Sequence, residues 1–166
     1  KRVAGIILER GDARMGVVVS AMGGMTDALI NLAVMAEQDD DAYQPALNEI
    51  GERYATAARE LIDGDRLVSV LDAWGNDSSD ILDVLKAIAL VKSAPQRNRD
   101  IVAGYGEIWS ARLLAAYLEQ LDADRGGRWV DARDVITVTE TELGPTVLWD
   151  QSQENFDKQV DADFTG

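Results

Sequence analysis

Ser20-Ala21-Met22-Gly23-Gly24-Met25-Thr26-Asp27 is the stretch of this sequence best equipped for chemistry. The β-branched run Gly16-Val17-Val18-Val19 leads into it, and a helical pattern leaves it. A chain that turns through glycines into a helix presents unused backbone N–H groups and the positive end of a helix dipole, which suits a carboxylate or a phosphate. The hydroxyls of Ser20 and Thr26 flank the glycines, so Ala21, Gly23 and Gly24 form a candidate anion loop with two added donors. The same residues also suit a plain tight turn with Thr26 as helix N-cap. This is not a Walker loop, because the G-x-x-x-x-G-K-S/T spacing and its lysine are missing.

Glu107, in Gly104-Tyr105-Gly106-Glu107-Ile108-Trp109-Ser110, is the second candidate. On a helix its neighbours one and two turns away are Ala103, Ala111 and Leu114, and no Lys or Arg follows three or four residues on. An ionised carboxylate on an apolar face is costly unless something outside its own helix pairs with it. It reads either as an edge carboxylate facing water or as the receptor of a cationic group such as a substrate ammonium. Asp131-Ala132-Arg133-Asp134 reads as a surface ion-paired turn, and Asp39-Asp40-Asp41 as a solvated linker and cap rather than a metal site. Trp74, Trp109, Trp129 and Trp149 are scattered, which fits packing rather than a stacking platform.

The elements that must hold these groups follow from apolar spacing and punctuation. Val3, Ile6 and Ile7 predict an amphipathic helix entered in mid-element, and Gly11-Asp12-Ala13-Arg14 a turn. Gly16 to Ser20 reads as a buried parallel strand. From Thr26 a helix carries Leu29, Ile30, Ala33 and Val34 on one face. Residues 39–94 read as a helical subdomain. Within it one helix follows Pro45, Gly64 stops the chain, and Asp65 caps a short segment from Arg66 to Trp74. Gly75-Asn76-Asp77-Ser78 then breaks the chain, and Asp77 or Ser78 caps a further helix. Gln96 to Gln120 is helical, with a break or a close backbone approach at Gly104-Tyr105-Gly106. Arg125-Gly126-Gly127 is a turn, Arg128 to Asp131 and Val135 to Val138 are strand pieces, and Gln151 to Val160 is a polar helix. Both ends read as cut.

Composition narrows the function classes. The 166 residues carry 30 Asp and Glu against 16 Lys and Arg, a formal charge of −14, which disfavours nucleic acid and anionic membrane as partners. With no Cys and no His, thiolate or imidazole nucleophiles, bases and metal ligands are excluded. Carboxylates, hydroxyls, Lys, Arg, backbone N–H groups or an added hard ion must do any chemistry. No run of apolar residues is long enough for a transmembrane helix, and the acidic, Cys-free composition is compatible with the cytoplasm.

Three motifs in order resemble one family. Val17-Val18-Val19-Ser20-Ala21-Met22-Gly23-Gly24-Met25-Thr26-Asp27 resembles the aspartate kinase strand ending V-V-S-A with its Gly-containing loop and T-D/N. Gly106-Glu107-Ile108-Trp109-Ser110-Ala111 is similar to the family's G-E-x-x-S-A/T helix start, and Trp129-Val130-Asp131-Ala132-Arg133 to its W-x-D-x-R element. Asp41-Ala42-Tyr43, Ala46-Leu47, Ala57-Ala58 and Leu61-Ile62-Asp63-Gly64-Asp65 look most like the helical segment of bifunctional aspartokinase–homoserine dehydrogenases. The resemblance implies an incomplete three-layer α/β/α amino-acid-kinase (carbamate-kinase-like) fold, with residues 1–166 a partial kinase catalytic domain. It implies ATP-dependent phosphorylation of the L-aspartate β-carboxylate to 4-phospho-L-aspartate, with Mg²⁺, in the biosynthesis of lysine, threonine and methionine, and a homo-oligomeric parent enzyme. By motif position Ser20 would lie near the transferred phosphoryl group, Thr26 would contact the bound aspartate, and Glu107 would receive its α-ammonium.

The family's opening K-F/Y-G-G-T/S-S strand and its later G-R-x-G-S-D segment are not in this sequence, which corresponds to about the first half of a kinase domain. The expectation is that this polypeptide does not catalyse alone although its parent does. Two other readings stand beside it: an amino-acid kinase with a different acceptor, and a non-catalytic helical module for assembly.

Overall fold

The computed structural model describes residues 1–10, 15–39, 41–123, 127–142 and 144–160. The turn expected at residues 11–14, Asp40, and residues 125 and 126 of the later turn lie outside them. The chain divides into two compact units, Lys1–Arg128 and Trp129–Gly166.

In the first unit the apolar spacing yields α1 (Arg2–Arg10), α2 (Met25–Glu37), α3 (Tyr43–Arg59), α4 (Gly64–Val91) and α5 (Gln96–Leu121). Helix α2 buries Met25, Leu29, Leu32, Ala33 and Ala36, and lies against α3, α4 and, most extensively, α5. Ile30, expected on the inner face, is exposed instead. Around α2 the core gathers Leu47, Tyr54, Ile62, Ile81, Leu85, Ile88, Val102 and Trp109. Each large side chain so buried contributes about 1.5–3 kcal/mol relative to an exposed one.

Gly16 to Ser20 is not a strand, and Val18 is 100% exposed. A β-strand exists only by pairing, and the two described strands of the chain pair with each other. The break expected at residues 75–78 is also absent, since α4 runs 28 residues through it. Gly75 and Asn76 face water there, while the Asp77 carboxylate is drawn to α5 instead of capping a backbone N–H. Packing thus outweighs the local preference of Gly, Asn and Asp for turns. Helix α5 likewise passes unbroken through its two glycines. Thr26 is not the N-cap of α2: that place belongs to Gly24, with φ 72° and no side-chain cap.

The second unit holds α6 (Ala132–Val135), the antiparallel hairpin of β1 (Val138–Thr141) and β2 (Gly144–Val147), and α7 (Trp149–Val160). The register places Val138 opposite Val147 and Glu140 opposite Pro145. The strand expected at residues 128–131 does not form, and the one expected at 135–138 begins only at Val138, because Asp131 caps α6 by accepting from the Arg133 N–H at 2.9 Å. Ser152 of α7, buried, takes up the Thr137 N–H at 3.0 Å and ties the helix to the strand's start. The described structure is mostly helical with one small sheet, compatible with an α/β class.

Two glycines test the packing from opposite sides. Gly75 has open space where a Cβ would stand, so Gly75→Ala in the middle of α4 should raise stability by about 0.5–1 kcal/mol. A Cβ at Gly51 would collide with the Trp74 ring, so Gly51→Ala should lower stability by about 1–3 kcal/mol. Urea unfolding of both variants measures this; a destabilised Gly75→Ala would mean that α4 is interrupted.

Candidate functional site

The loop before α2 is a tight turn whose backbone donors are left open. Met25 N–H donates to the Met22 carbonyl at 2.9 Å and Ala28 N–H to that of Gly24 at 3.2 Å. The N–H groups of Gly24, Thr26 and Asp27 have no acceptor among the described residues. They stand at the N-terminus of a 13-residue helix, where donors and dipole together favour an anion. Ser20, Gly23 and Gly24 are exposed, while Ala21 and Thr26 are half-buried.

Gly106 lies buried beneath this loop. A Cβ there would stand 2.9 Å from the Ala21 Cβ and 3.4 Å from Leu29 and Met25 atoms, so only glycine lets α5 approach so closely. Of the two outcomes expected at Gly104-Tyr105-Gly106, the structure has the close approach, made by Gly106; Gly104 faces open space. The approach brings the Ser20–Asp27 loop against α5 at Gly106. Glu107 follows one residue on, about 100° further around the helix. It is half-buried and makes no hydrogen bond or ion pair among the described residues, neither with Ser20 nor with Thr26.

Two residues beyond, Trp109 fixes the rotation of α5. Its ring is fully buried, with centroids 5.7 Å from Tyr54, 6.2 Å from Trp74 and 6.2 Å from Tyr105. The Tyr54 hydroxyl donates to the Trp109 carbonyl at 3.2 Å. Asp77 accepts from Trp109 Nε1 at 2.9 Å and from Arg112 Nη1 at 2.7 Å, in a pair whose side chains are only 13% and 14% exposed. Burial pushes the Tyr54 phenol well above the usual tyrosine range; Arg112 opposes this and Asp77 adds to it. None of Tyr54, Asp77 and Arg112 is marked by a motif, because they meet across 32 to 55 residues.

The far end of α2 is tied to the turn between α4 and α5. Glu37 accepts from Arg99 Nη2 at 3.0 Å and from the Ala94 N–H at 2.9 Å. Asp39, at φ 61°, accepts from Lys92 Nζ at 2.7 Å, so this part of the aspartate run does serve as a linker. Among the described residues no group of three or more Asp or Glu is placed to hold a metal ion. Asp131 and Arg133 pair at 2.6 Å as expected, but only Arg133 is at the surface: the Asp131 side chain is 10% exposed. An open cleft of about 420 Å³ runs along α3, lined by Glu52, Arg53, Thr56, Ala57 and Glu60, and includes none of the sequence-predicted site residues. Arg53, which no motif marks, donates from Nη2 to the Gly23 carbonyl at 3.1 Å.

No family model matches the chain. Curated proteins do. It is 38% identical over 141 residues to the chloroplastic bifunctional aspartokinase/homoserine dehydrogenase 2 of Arabidopsis thaliana, covering 85% of this chain and 15% of that protein. It is 34% identical over 139 residues to the bifunctional aspartokinase/homoserine dehydrogenase 2 of Escherichia coli K12, covering 81% of this chain and 16% of the other. With the chloroplastic aspartokinase 2 of Arabidopsis thaliana it shares 27% identity over 172 residues, 93% of this chain and 30% of the relative. Over most of its length the chain is similar to aspartokinases, and it spans about 15% of the length of these bifunctional relatives. Among the described residues no helix is long and apolar enough to cross a membrane.

Two outcomes follow from the Trp109 cluster. Asp77→Ala removes the acceptor shared by Trp109 and Arg112 and should lower stability by about 2–4 kcal/mol in urea unfolding. The raised phenol of Tyr54 favours the protonated folded state, so its contribution is full below about pH 10 and lost as pH rises further. Stability of the wild type should therefore fall more steeply above about pH 10 than that of Tyr54→Phe. Parallel profiles would remove Tyr54 from the pH dependence.

Proposed function

We propose that this chain is the acceptor-binding part of an aspartate kinase, a phosphotransferase of the three-layer amino-acid-kinase fold. The observation that supports the reading is the close approach of Gly106 to Ala21, which brings the helix that carries the unpaired Glu107 up to the loop with the open N–H donors. An amino acid with a second carboxylate has complementary charges: an ammonium for Glu107 and anionic oxygens for the Gly24, Thr26 and Asp27 N–H groups.

In the transfer, a β-carboxylate oxygen of L-aspartate forms a bond to the γ-phosphorus of ATP while the bond from that phosphorus to the bridging oxygen breaks and ADP leaves. Developing negative charge around the phosphorus is stabilised by fixed donors. The part of this chain is binding and orientation. Glu107 takes the α-ammonium, Thr26 and the loop N–H groups hold carboxylate oxygens, and Ser20 stands near the transferred group. Ala21, Gly23 and Gly24 shape the loop. ATP and Mg²⁺ belong to the full-length protein, which we read as a cytoplasmic homo-oligomer; the 166-residue chain alone is expected to be inactive. The similarity to bifunctional proteins supports a homoserine dehydrogenase fused to the same parent.

The test is formation of aspartyl hydroxamate from ATP, aspartate and hydroxylamine by the full-length protein. Glu107→Gln should raise the KM for aspartate at least roughly tenfold while leaving that for ATP within about twofold. An unchanged aspartate KM would reject the ammonium role, and a full-length protein forming no hydroxamate would reject the kinase reading.

A further inference from the structure

The direction of one peptide decides whether the loop before α2 offers a donor or an oxygen. Met22 to Met25 close a turn with Gly24 at φ 72°, ψ 6°, and Gly23 is not among the residues of positive φ. The Gly24 angles and the absence of a positive φ at Gly23 match a type II turn with Gly24 in its third position. Types I and II differ by a flip of the central peptide, here Gly23–Gly24, and glycine at both positions leaves both forms sterically open. In a trans peptide C=O and N–H point opposite ways, so a flip would exchange the Gly24 N–H for the Gly23 oxygen. An anion held by the first would be repelled by the second.

One described side chain holds this peptide. Arg53, at the middle of α3, donates from Nη2 to the Gly23 carbonyl at 3.1 Å across thirty residues of sequence. The flipped form would turn that carbonyl away from Arg53. The bond therefore directs the Gly23 oxygen toward α3 and the Gly24 N–H away from it, where it has no acceptor among the described residues. Anchorage is available, because Arg53 shares its helix with Leu47, Ile50 and Tyr54, all buried in the core.

We propose that Arg53 is a positioning residue that latches the Gly23–Gly24 peptide in its type II orientation and so makes the Gly24 N–H a donor to an anionic oxygen of the substrate. The assignment rests on the phosphotransferase reading of the same loop. The oxygen belongs either to the acceptor carboxylate or to the phosphoryl group, and kinetics separates the two.

Arg53→Ala and Arg53→Lys test it with two readouts. In the 166-residue chain labelled with ¹⁵N-glycine, Arg53→Ala should move the Gly24 amide resonance while those of Gly75 and Gly104 stay in place, and Arg53→Lys should restore most of the shift. In the full-length protein, Arg53→Ala should raise one KM by roughly fivefold or more with a smaller change in kcat, and Arg53→Lys should recover it in part. A rise for aspartate assigns the N–H to the carboxylate, and a rise for ATP to the phosphoryl group. A Gly24 resonance unmoved in Arg53→Ala, or both KM values unchanged, overturns the latch. If the wild-type full-length protein forms no hydroxamate, the kinase reading falls, and the glycine resonance alone decides whether Arg53 orients the peptide.

Discussion

The approach of α5 to the loop before α2, at Gly106 against Ala21, is the contact on which the candidate site depends. Close packing leaves no room there for a methyl group, so the distance between the two segments is set by the absence of one side chain. The rest of the first unit keeps that contact in register. Trp109, three residues further along α5, is wedged among Tyr54, Trp74 and Tyr105 and hydrogen-bonded to Asp77, which fixes the rotation of the helix. Glu37 and Asp39, at the other end of α2, hold Arg99, the Ala94 N–H and Lys92. A helix secured at both ends carries its N-terminal donors to one place.

Electrostatics gives the arrangement its direction. A chain with a formal charge of −14 can attract an anion only through local features, because its overall field opposes one. Backbone N–H groups at a helix terminus are such a feature, carrying partial positive charge that titration does not remove. The charged pair of the interior, Asp77 with Arg112, is spent within the fold. Glu107 is the contrasting case: a half-buried carboxylate with no partner among the described residues, one residue along α5 from the glycine that meets the loop.

The Ser20–Asp27 loop and Glu107 stand out as candidates in the sequence because they combine local signals: glycines before a helical pattern, and an acidic residue on an apolar face. The helices were legible from apolar spacing, and α1, α2, α3, α5 and α7 lie close to where that spacing puts them. The misplacements share a cause. Gly75-Asn76-Asp77-Ser78 has the composition of a turn, yet α4 continues because Asp77 finds Trp109 and Arg112. Val17 to Val19 has the composition of a strand, yet a strand needs a partner and none of the described segments pairs with it.

Local chemistry was therefore determined by the sequence itself: which residue types can donate, accept or carry charge, which glycines free the backbone, and which periods make helices. That Gly106 rather than Gly104 meets the loop, that Asp77 serves α5 rather than the start of a helix, and that Arg53 reaches the Gly23 carbonyl were decided only by tertiary structure. Each of these depends on partners 30 or more residues away. Helical period and turn composition are written within a few residues, whereas a contact across the fold depends on how whole helices settle against one another.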